Sequence, residues 1–228
     1  MTEPESPIMI ARQLISDIIT PLRSSDNGND ALRLMDELRV SHLPIADENE
    51  FLGVISDADI LTFNNFTEPV GKHPLSLSNA YVLENQHIYE VIRIVAAMKL
   101  TLVPVLDEKK HYIGSVTLAN ICHQMSALMA QNNPGGIIIL ELNDKDYLLT
   151  EIAQIVESND AKILGMYITT FPDSTRIEVT LKINKIDVGP VIQTFIRYNY
   201  NIKASFSEDT YTESLQERYN SLMNYLNI

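Results

Sequence analysis

The stretch Arg39-Val-Ser-His-Leu-Pro44, continued by Gly53-Val-Ile-Ser-Asp-Ala-Asp-Ile60, decides the fold because it occurs twice. Its second copy is Lys99-Leu-Thr-Leu-Val-Pro104, followed by Gly114-Ser-Val-Thr-Leu-Ala-Asn-Ile121. The two prolines are 60 positions apart and the two leading glycines are 61 apart, so the second hairpin loop is one residue longer. Each copy reads as two short strands, a turn and the start of a helix.

An apolar helical face precedes each copy, with hydrophobic residues at i, i+3, i+4 and i+7. These residues are Ala31, Leu34, Met35 and Leu38 in the first copy and Val91, Ile94, Val95 and Met98 in the second. The repeated unit is therefore helix, strand, strand, helix. One such unit cannot bury both faces of its small sheet, so we expect the two units to pack on each other.

The repeats resemble CBS domains, and the pair resembles a CBS tandem, also called a Bateman module, over about residues 10–130. The resemblance rests on the proline-containing strands at residues 42–45 and 102–105. It also rests on the signature Gly-hydrophobic-hydrophobic-Ser/Thr-x-x-Asp, here Gly53, Ser56 and Asp59. We place the first CBS unit at residues 10–66 and the second at residues 67–130.

A first short strand in each unit, at about residues 20–25 and 81–83, completes the βαββα order of a CBS domain. Residues 10–19 are predicted to form a short helix that enters the first unit. The second helix of the second unit is predicted to be longer than its counterpart and to extend from Leu118 to about Ala130.

The pattern changes after the Gln-Asn-Asn-Pro-Gly-Gly break that ends at Gly136. Residues 136–207 read as strand, helix, strand, strand, helix, strand, which is a ferredoxin-like order. This segment resembles an ACT domain, although its loop at residues 143–147 lacks the Pro and Gly that the family usually carries there. The fold class is therefore α+β: two CBS βαββα units packed as a pair, then an ACT-like βαββαβ domain and a final helix.

The last segment, residues 208–228, is predicted to be an amphipathic helix that covers the ACT-like sheet or packs on a second copy of the chain. Its apolar face consists of Tyr211, Leu215, Tyr219, Leu222, Met223 and Leu226. The complete arrangement resembles the acetoin-utilisation AcuB-type proteins, which are regulators rather than enzymes.

Composition limits the function. The net charge of −13 argues against binding to nucleic acids or anionic membranes, both of which rely on basic surface. No apolar run approaches the ~20 residues that span a bilayer, the first residues are acidic, and a single cysteine fits a reducing cytosol. We expect a cytoplasmic protein. The chain has no GxSxG, HExxH, GxxxxGK[ST] or GxGxxG motif, so we expect no enzyme.

The CBS resemblance implies a site for an adenosine-containing ligand. Ser56 and Asp59 would bind the two ribose hydroxyls, because a carboxylate accepts two hydrogen bonds. The wall of the adenine site would be formed by His42 and Pro44, with Thr20 and Pro21 as further candidates.

The resemblance also implies a second, weaker site. It would use Thr117 and Asn120 for the ribose, with Val103 and Pro104 against the adenine base. Asn120 stands where the family has Asp, and an amide has only one acceptor oxygen. The basic residue that often precedes the Asp is Ala58 in the first unit and Ala119 in the second. The remaining candidates for a phosphate contact are His42, Arg39, Lys99, Lys72 and His73.

Structural roles compete with these assignments. Ser56 with Asp59, and Thr117 with Asn120, also fit helix capping. His42 is a phosphate contact, a pH-sensitive group or a satisfied polar residue between strands. The other histidines, His73, His87, His111 and His123, show no metal-ligand spacing with each other or with Cys122, so no metal site is expected.

Two functions follow. The first is a non-enzymatic regulatory protein whose CBS pair binds AMP, ATP or another adenosyl compound, and whose ACT-like domain transmits or adds a signal to a regulated protein. The alternative is a ligand-free dimerisation or scaffold module with degenerate CBS sites. No cofactor is required in either case. CBS tandems usually pair face to face, so a homodimer is expected.

Overall fold

The computed structural model describes residues 9–129 and 133–207. They divide into two compact units between Met125 and Ser126, and each unit has its own core. The tail at residues 208–228, which the sequence predicts to be a helix, lies outside the described residues.

The first repeat contains α1 (Gly28–Leu38), β1 (His42–Asp47), β2 (Glu50–Ser56) and the short α2 (Asp57–Ile60). Asn27 begins α1 by accepting the backbone N–H of Asp30 on its side-chain oxygen at 3.0 Å, which satisfies a free donor of the first turn. The helix ends at Arg39, whose φ of 57° is left-handed. β1 and β2 form an antiparallel hairpin in which His42 pairs with Ser56.

The second repeat contains β3 (Val82–Leu83), α3 (Ile88–Met98), β4 (Leu102–Leu106), β5 (Tyr112–Thr117) and α4 (Leu118–Leu128). β3 lies parallel to β4, and β4 is antiparallel to β5. α3 ends at Lys99 in the same left-handed conformation as Arg39, with a φ of 54°. The prediction that the second helix of this repeat is the longer one is confirmed, because α4 has 11 residues and α2 has four.

The first strand of the first repeat is reduced to one parallel bridge between Leu22 and Ile45. Asp26 turns the chain here, because its carboxylate accepts the backbone N–H of Arg23 at 2.8 Å. The predicted helix at residues 10–19 is also shorter, a 3-10 helix over Ala11–Leu14. The chain then pairs with β5 through a backbone hydrogen bond from Ser16 to Ser115, which ends the helix.

The two repeats share their cores. Val54 of β2 is fully buried in the core built mainly on the second repeat, and Leu102 of β4 is fully buried in the core of the first. Three residues that precede the first repeat, Met9, Ala11 and Leu14, also lie in the core of the second. The repeats therefore pack as a pair, and the N-terminal segment crosses from one to the other.

The second unit has the element order that the sequence predicts: β6 (Ile137–Asn143), α5 (Leu149–Glu157), β7 (Ile163–Thr170), β8 (Arg176–Ile183), α6 (Gly189–Arg197) and β9 (Asn201–Phe206). Its four strands form one antiparallel sheet in the order β7-β8-β6-β9. Alternating residues of β8, such as Val179 and Leu181, are fully buried against Ile152, Phe195 and their neighbours on the two helices.

Candidate functional site

Ser56 and Asp59 hold each other at the junction of β2 and α2. The backbone N–H of Ser56 donates to Asp59 Oδ2 at 3.0 Å and its hydroxyl donates to the same oxygen at 2.7 Å, while the N–H of Asp59 donates to Ser56 Oγ at 3.0 Å. This is a capping box, so the structural role expected for the pair is present. The contact with a ligand stays a prediction.

A residue that the sequence reasoning missed, Ser76, also donates to Asp59. Its hydroxyl lies 3.0 Å from Oδ2 and 3.2 Å from Oδ1 of that carboxylate. Partial burial is the largest single influence on the pKa of Asp59, and it raises this pKa. The hydrogen bonds from Ser56 and Ser76 and the nearby His42 lower it, and together they bring the pKa below its usual range. Asp59 is therefore a stable anion whose Oδ1 is the less occupied oxygen.

His42 connects the two repeats. The backbone N–H of Thr101 donates to His42 Nδ1 at 3.3 Å, and Thr101 Oγ1 lies 3.1 Å from the same nitrogen. The backbone N–H of Ser41 donates to Thr101 Oγ1 at 3.0 Å. Since Nδ1 accepts the N–H of Thr101, His42 is neutral. Burial lowers the pKa of His42, and the carboxylates of Asp57 and Asp59 only partly offset this.

The corresponding residues of the second repeat also form a cap. The N–H of Asn120 donates to Thr117 Oγ1 at 3.2 Å, and that hydroxyl donates to Asn120 Oδ1 at 3.1 Å. In addition, Asn120 Nδ2 donates to the backbone oxygen of Leu14 at 3.0 Å. This last bond requires an amide, because the carboxylate usual at this position cannot donate. Asn120 therefore fastens the N-terminal segment to the second repeat.

A cavity of about 300 Å³ opens beside Thr117 and Asn120. Its lining comes from three parts of the chain: the N-terminal segment, the end of α1 with the residues that follow it, and the start of α4 with Thr101. The lining residues are Ser16, Ile18, Ile19, Leu38, Arg39, Val40, Thr101, Thr117, Leu118, Ala119 and Asn120. The cavity thus combines an apolar wall with hydroxyl, amide and guanidinium groups.

The structure separates the residues predicted for the sites. Thr117 and Asn120 line the cavity, whereas Val103 and Pro104 are buried in β4. Pro44 is likewise buried, opposite Val54 in the hairpin. Thr20 is exposed and Pro21 is half-buried. They follow Ile18 and Ile19, which line the cavity together with Ser16 of the same segment.

The candidates for a phosphate contact also differ in their surroundings. Arg39 lines the cavity with a side chain that is 87% exposed, and its guanidinium lies 4.0 Å from the carboxylate of Asp36, a contact that a bound phosphate would replace. Lys72 and Lys99 are exposed. His73 stacks on the ring of Phe63 with a centroid distance of 3.4 Å, which holds the imidazole in a packing role.

Two findings concern the expected absences. Within residues 9–129 and 133–207, no group of three or more His, Cys, Asp and Glu side chains is arranged to hold a metal ion. Over the same residues, the structure contains no helix of the length and apolar character that a membrane span requires.

Comparison with known proteins identifies the repeats. A model of the CBS domain family matches residues 11–64 and 75–127, so the chain contains two CBS domains in tandem. The inosine-5'-monophosphate dehydrogenase of Methanocaldococcus jannaschii is 23% identical over 128 residues, which are 56% of this chain and 25% of that protein. This chain therefore spans about a quarter of the length of that curated relative.

Solved structures with CBS pairs are also similar. A CBS domain pair/ACT domain protein from Thermotoga maritima is 20% identical, with a TM-score of 0.49, over 54% of this chain and all of that one. The protein CBSX2 in complex with AMP is 22% identical, with a TM-score of 0.46, over 53% of this chain and 98% of that one. CBSX2 is a CBS-pair protein from Arabidopsis thaliana.

Proposed function

We propose that this chain is a non-enzymatic regulatory protein whose CBS pair binds an adenosine-containing ligand. The observation that carries the proposal is the cavity beside Thr117 and Asn120, where an apolar wall meets polar groups of the signature. Its volume of about 300 Å³ is at the lower end of the range typical of small-ligand sites. The two CBS domains and the AMP complex of a CBS-pair protein support an adenosyl ligand.

The apolar side chains of the cavity suit a flat heterocycle. Ile18 and Ile19 lie on the N-terminal segment, Leu38 and Val40 flank the end of α1, and Leu118 begins α4. Ile18 is 72% exposed and Leu118 is 43% exposed, so both lose unfavourable contact with water when a base covers them. We expect the adenine ring to bind in this apolar part.

The polar groups suit the rest of a nucleotide. Thr117 Oγ1 and Asn120 Oδ1 are acceptors with capacity for a ribose hydroxyl in addition to their mutual bond. Arg39 supplies a guanidinium for a phosphate, which is the anion that its planar donors match best. The net charge of −13 does not prevent this binding, because one arginine and a few local donors are enough for a single phosphate.

The residues Ser56 and Asp59, with His42 nearby, form the other candidate for a ribose site. Oδ1 of Asp59 has only the 3.2 Å contact with Ser76, and a carboxylate oxygen has two lone pairs, so it can also accept a ribose hydroxyl. We place this site second because the cavity that carries the proposal is lined by Thr117 and Asn120 rather than by Ser56 and Asp59. This order reverses the ranking that the sequence suggests.

Ligand binding in the cavity would fix the N-terminal segment, α1 and α4 relative to one another. A ligand shifts a conformational equilibrium only by its difference in affinity for the two states. The proposed ACT-like domain at residues 136–207, supported by its βαββαβ order, would transmit or add to this signal. The regulated partner would be another protein.

A thermal-shift screen of the full chain against AMP, ADP, ATP, NAD and S-adenosylmethionine tests the proposal. A ligand at 100 times its dissociation constant stabilises the native state by about 2.7 kcal/mol, which raises the melting temperature by some degrees. Ile18→Ala should weaken binding about tenfold, because it removes apolar contact worth about 1.4 kcal/mol. Ile196→Ala, at another exposed isoleucine, in the other unit, is the control.

Two further variants distinguish the sites. Asn120→Ala weakens binding if the ligand occupies the cavity, and Asp59→Ala does so if the ligand uses the first signature. If none of the five compounds shifts the melting temperature, the proposal is wrong. The scaffold alternative then holds, and it has its own support in the hydrogen bonds that occupy Asp59 and Asn120 within the chain.

A further inference from the structure

A titratable side chain lies where the two CBS repeats meet. His42 begins β1 of the first repeat, and its Nδ1 accepts the backbone N–H of Thr101, a residue of the second repeat, at 3.3 Å. The equivalent position of the second repeat, 60 residues later, is occupied by Leu102, whose side chain is fully buried. An imidazole changes its charge in the pH range of living cells, whereas a hydrocarbon does not. The contact between the repeats is therefore open to control by protons on one of its two sides.

The observed contact requires a neutral ring. When Nδ1 of an imidazole takes up a proton, it has no lone pair left and can only donate. A protonated His42 would then direct an N–H at the N–H of Thr101, 3.3 Å away. The hydroxyl oxygen of Thr101, 3.1 Å from Nδ1, can accept from the protonated ring, but the amide of the same residue then has no acceptor. Protonation therefore removes one hydrogen bond between the repeats.

Two carboxylates lie near His42 in its own repeat. Ser56 pairs with His42 across the hairpin, and Asp57 and Asp59 follow it in α2. The backbone N–H of Asp57 donates to the backbone oxygen of Ser41 at 3.0 Å, which fixes the start of α2 next to His42. Partial burial lowers the pKa of His42, and the two carboxylates raise it. The imidazolium therefore has partners available that differ from those of the neutral ring.

The cationic residues nearby have other surroundings. Arg39 lines a surface cavity together with Asp57, and its guanidinium lies 4.0 Å from the carboxylate of Asp36. Lys99, the equivalent of Arg39 in the second repeat, is exposed. The two aspartates of α2 are thus the charged groups that act on His42.

We propose that His42 is an acid-sensitive connection between the two CBS repeats. As a neutral ring it accepts the N–H of Thr101 and joins the repeats. As an imidazolium it releases this N–H and binds the carboxylates of Asp57 and Asp59 in its own repeat. The repeats are then held together less firmly, so the CBS pair responds to acidification. This response needs no ligand, and it stands whether or not the cavity beside Asn120 binds a nucleotide.

The amide of Thr101 tests the proposal directly in NMR spectra of the full chain, recorded from about pH 8 to about pH 5. We expect its proton shift to change with the same midpoint as the ring of His42. Its protection from hydrogen exchange, corrected for the intrinsic effect of pH, should fall severalfold below that midpoint. The amide of Asn120, which donates to Thr117 at 3.2 Å within the second repeat, should stay unchanged.

Two variants separate the effect of the proton from that of the fold. His42→Asn places an amide oxygen close to the position of Nδ1 and does not titrate, so the amide of Thr101 should keep its protection at both ends of the pH range. Asp57→Asn should move the midpoint of His42 to lower pH, because a carboxylate that favours the imidazolium is removed. Asp160→Asn, the same change at an exposed residue of the other unit, is the control.

The proposal is wrong if the amide of Thr101 does not change as His42 takes up its proton, or if its protection is equal above and below the midpoint. It is also wrong if His42→Asn leaves the pH dependence of that amide as it was. The first two results come from the unchanged chain, so they can be read even if a variant does not fold.

Discussion

The side-chain amide of Asn120 donates a 3.0 Å hydrogen bond to the backbone oxygen of Leu14, a residue 106 positions earlier in the chain. Asn120→Asp removes this donor and places a carboxylate against the carbonyl oxygen. We expect a loss of about 1–3 kcal/mol in the free energy of unfolding and a melting temperature lower by several degrees. Asn79→Asp, at an exposed turn residue, adds the same charge as a control. An unchanged melting temperature would show that the bond to Leu14 contributes nothing.

The lowered pKa of His42 makes stability depend on pH. The folded imidazole takes up a proton at a lower pH than the unfolded one, so the unfolded state binds more protons in the interval between the two pKa values. Stability therefore falls as pH is lowered through the ordinary pKa of about 6.5. His42→Gln should flatten this dependence in urea titrations between pH 7 and pH 5. The control His123→Gln, at an exposed residue of α4, should keep it.

Gly114 lies where the N-terminal segment crosses β5. Its φ is +153°, and a Cβ there would lie 2.4 Å from Ile15 Cγ2. Gly114→Ala should destabilise the fold by about 1–3 kcal/mol through this overlap and the strained φ. Gly53→Ala should cost less, because the nearest atom, Leu75 Cδ1, lies at 3.0 Å and ends a flexible side chain. Gly165→Ala, with 3.6 Å to its nearest neighbour, is the tolerated control. Equal unfolding free energies for the three variants would contradict this ranking.

The expected homodimer has a candidate surface on the second repeat. A groove of about 430 Å³ between α3 and α4 is lined mostly by apolar side chains, among them Ile92, Val95 and Leu118. Ile92→Asp should shift the sedimentation of the protein from dimer to monomer, because it buries an unpaired charge in such an interface. Asn29→Asp adds a charge to the exposed start of α1 and should leave the dimer intact. A monomeric parent protein would exclude the dimer.

The helices and strands of both units were predictable because each has hydrophobic residues at a regular local spacing. The i, i+3, i+4, i+7 spacing gave α1 and α3, and the strict alternation from Ile177 to Ile183 gave β8. The first strand was predicted to be too long, over residues 20–25. The hydrogen bond from the backbone N–H of Arg23 to Asp26 forms a turn that interrupts the extended segment.

The candidate site was less predictable, because its parts come from distant segments. Nothing in the local pattern indicates that Ile18 and Arg39 line the same cavity as Asn120. One signal was nevertheless present. Thr101 stands 60 positions after Ser41, so the internal repeat marks it as the equivalent of the residue next to His42.

Ser41 and Thr101 occupy the same position in their repeats, yet they contact each other. Equivalent residues meet in this way only beside a two-fold axis, which relates the halves of this chain as it would relate the subunits of a dimer. A duplicated and fused gene would produce this geometry from an ancestor that paired with itself. The difference between Asp59 and Asn120 would then have arisen after the fusion. A fused pair can change the residue in one half and keep the original residue in the other, which two identical subunits cannot do.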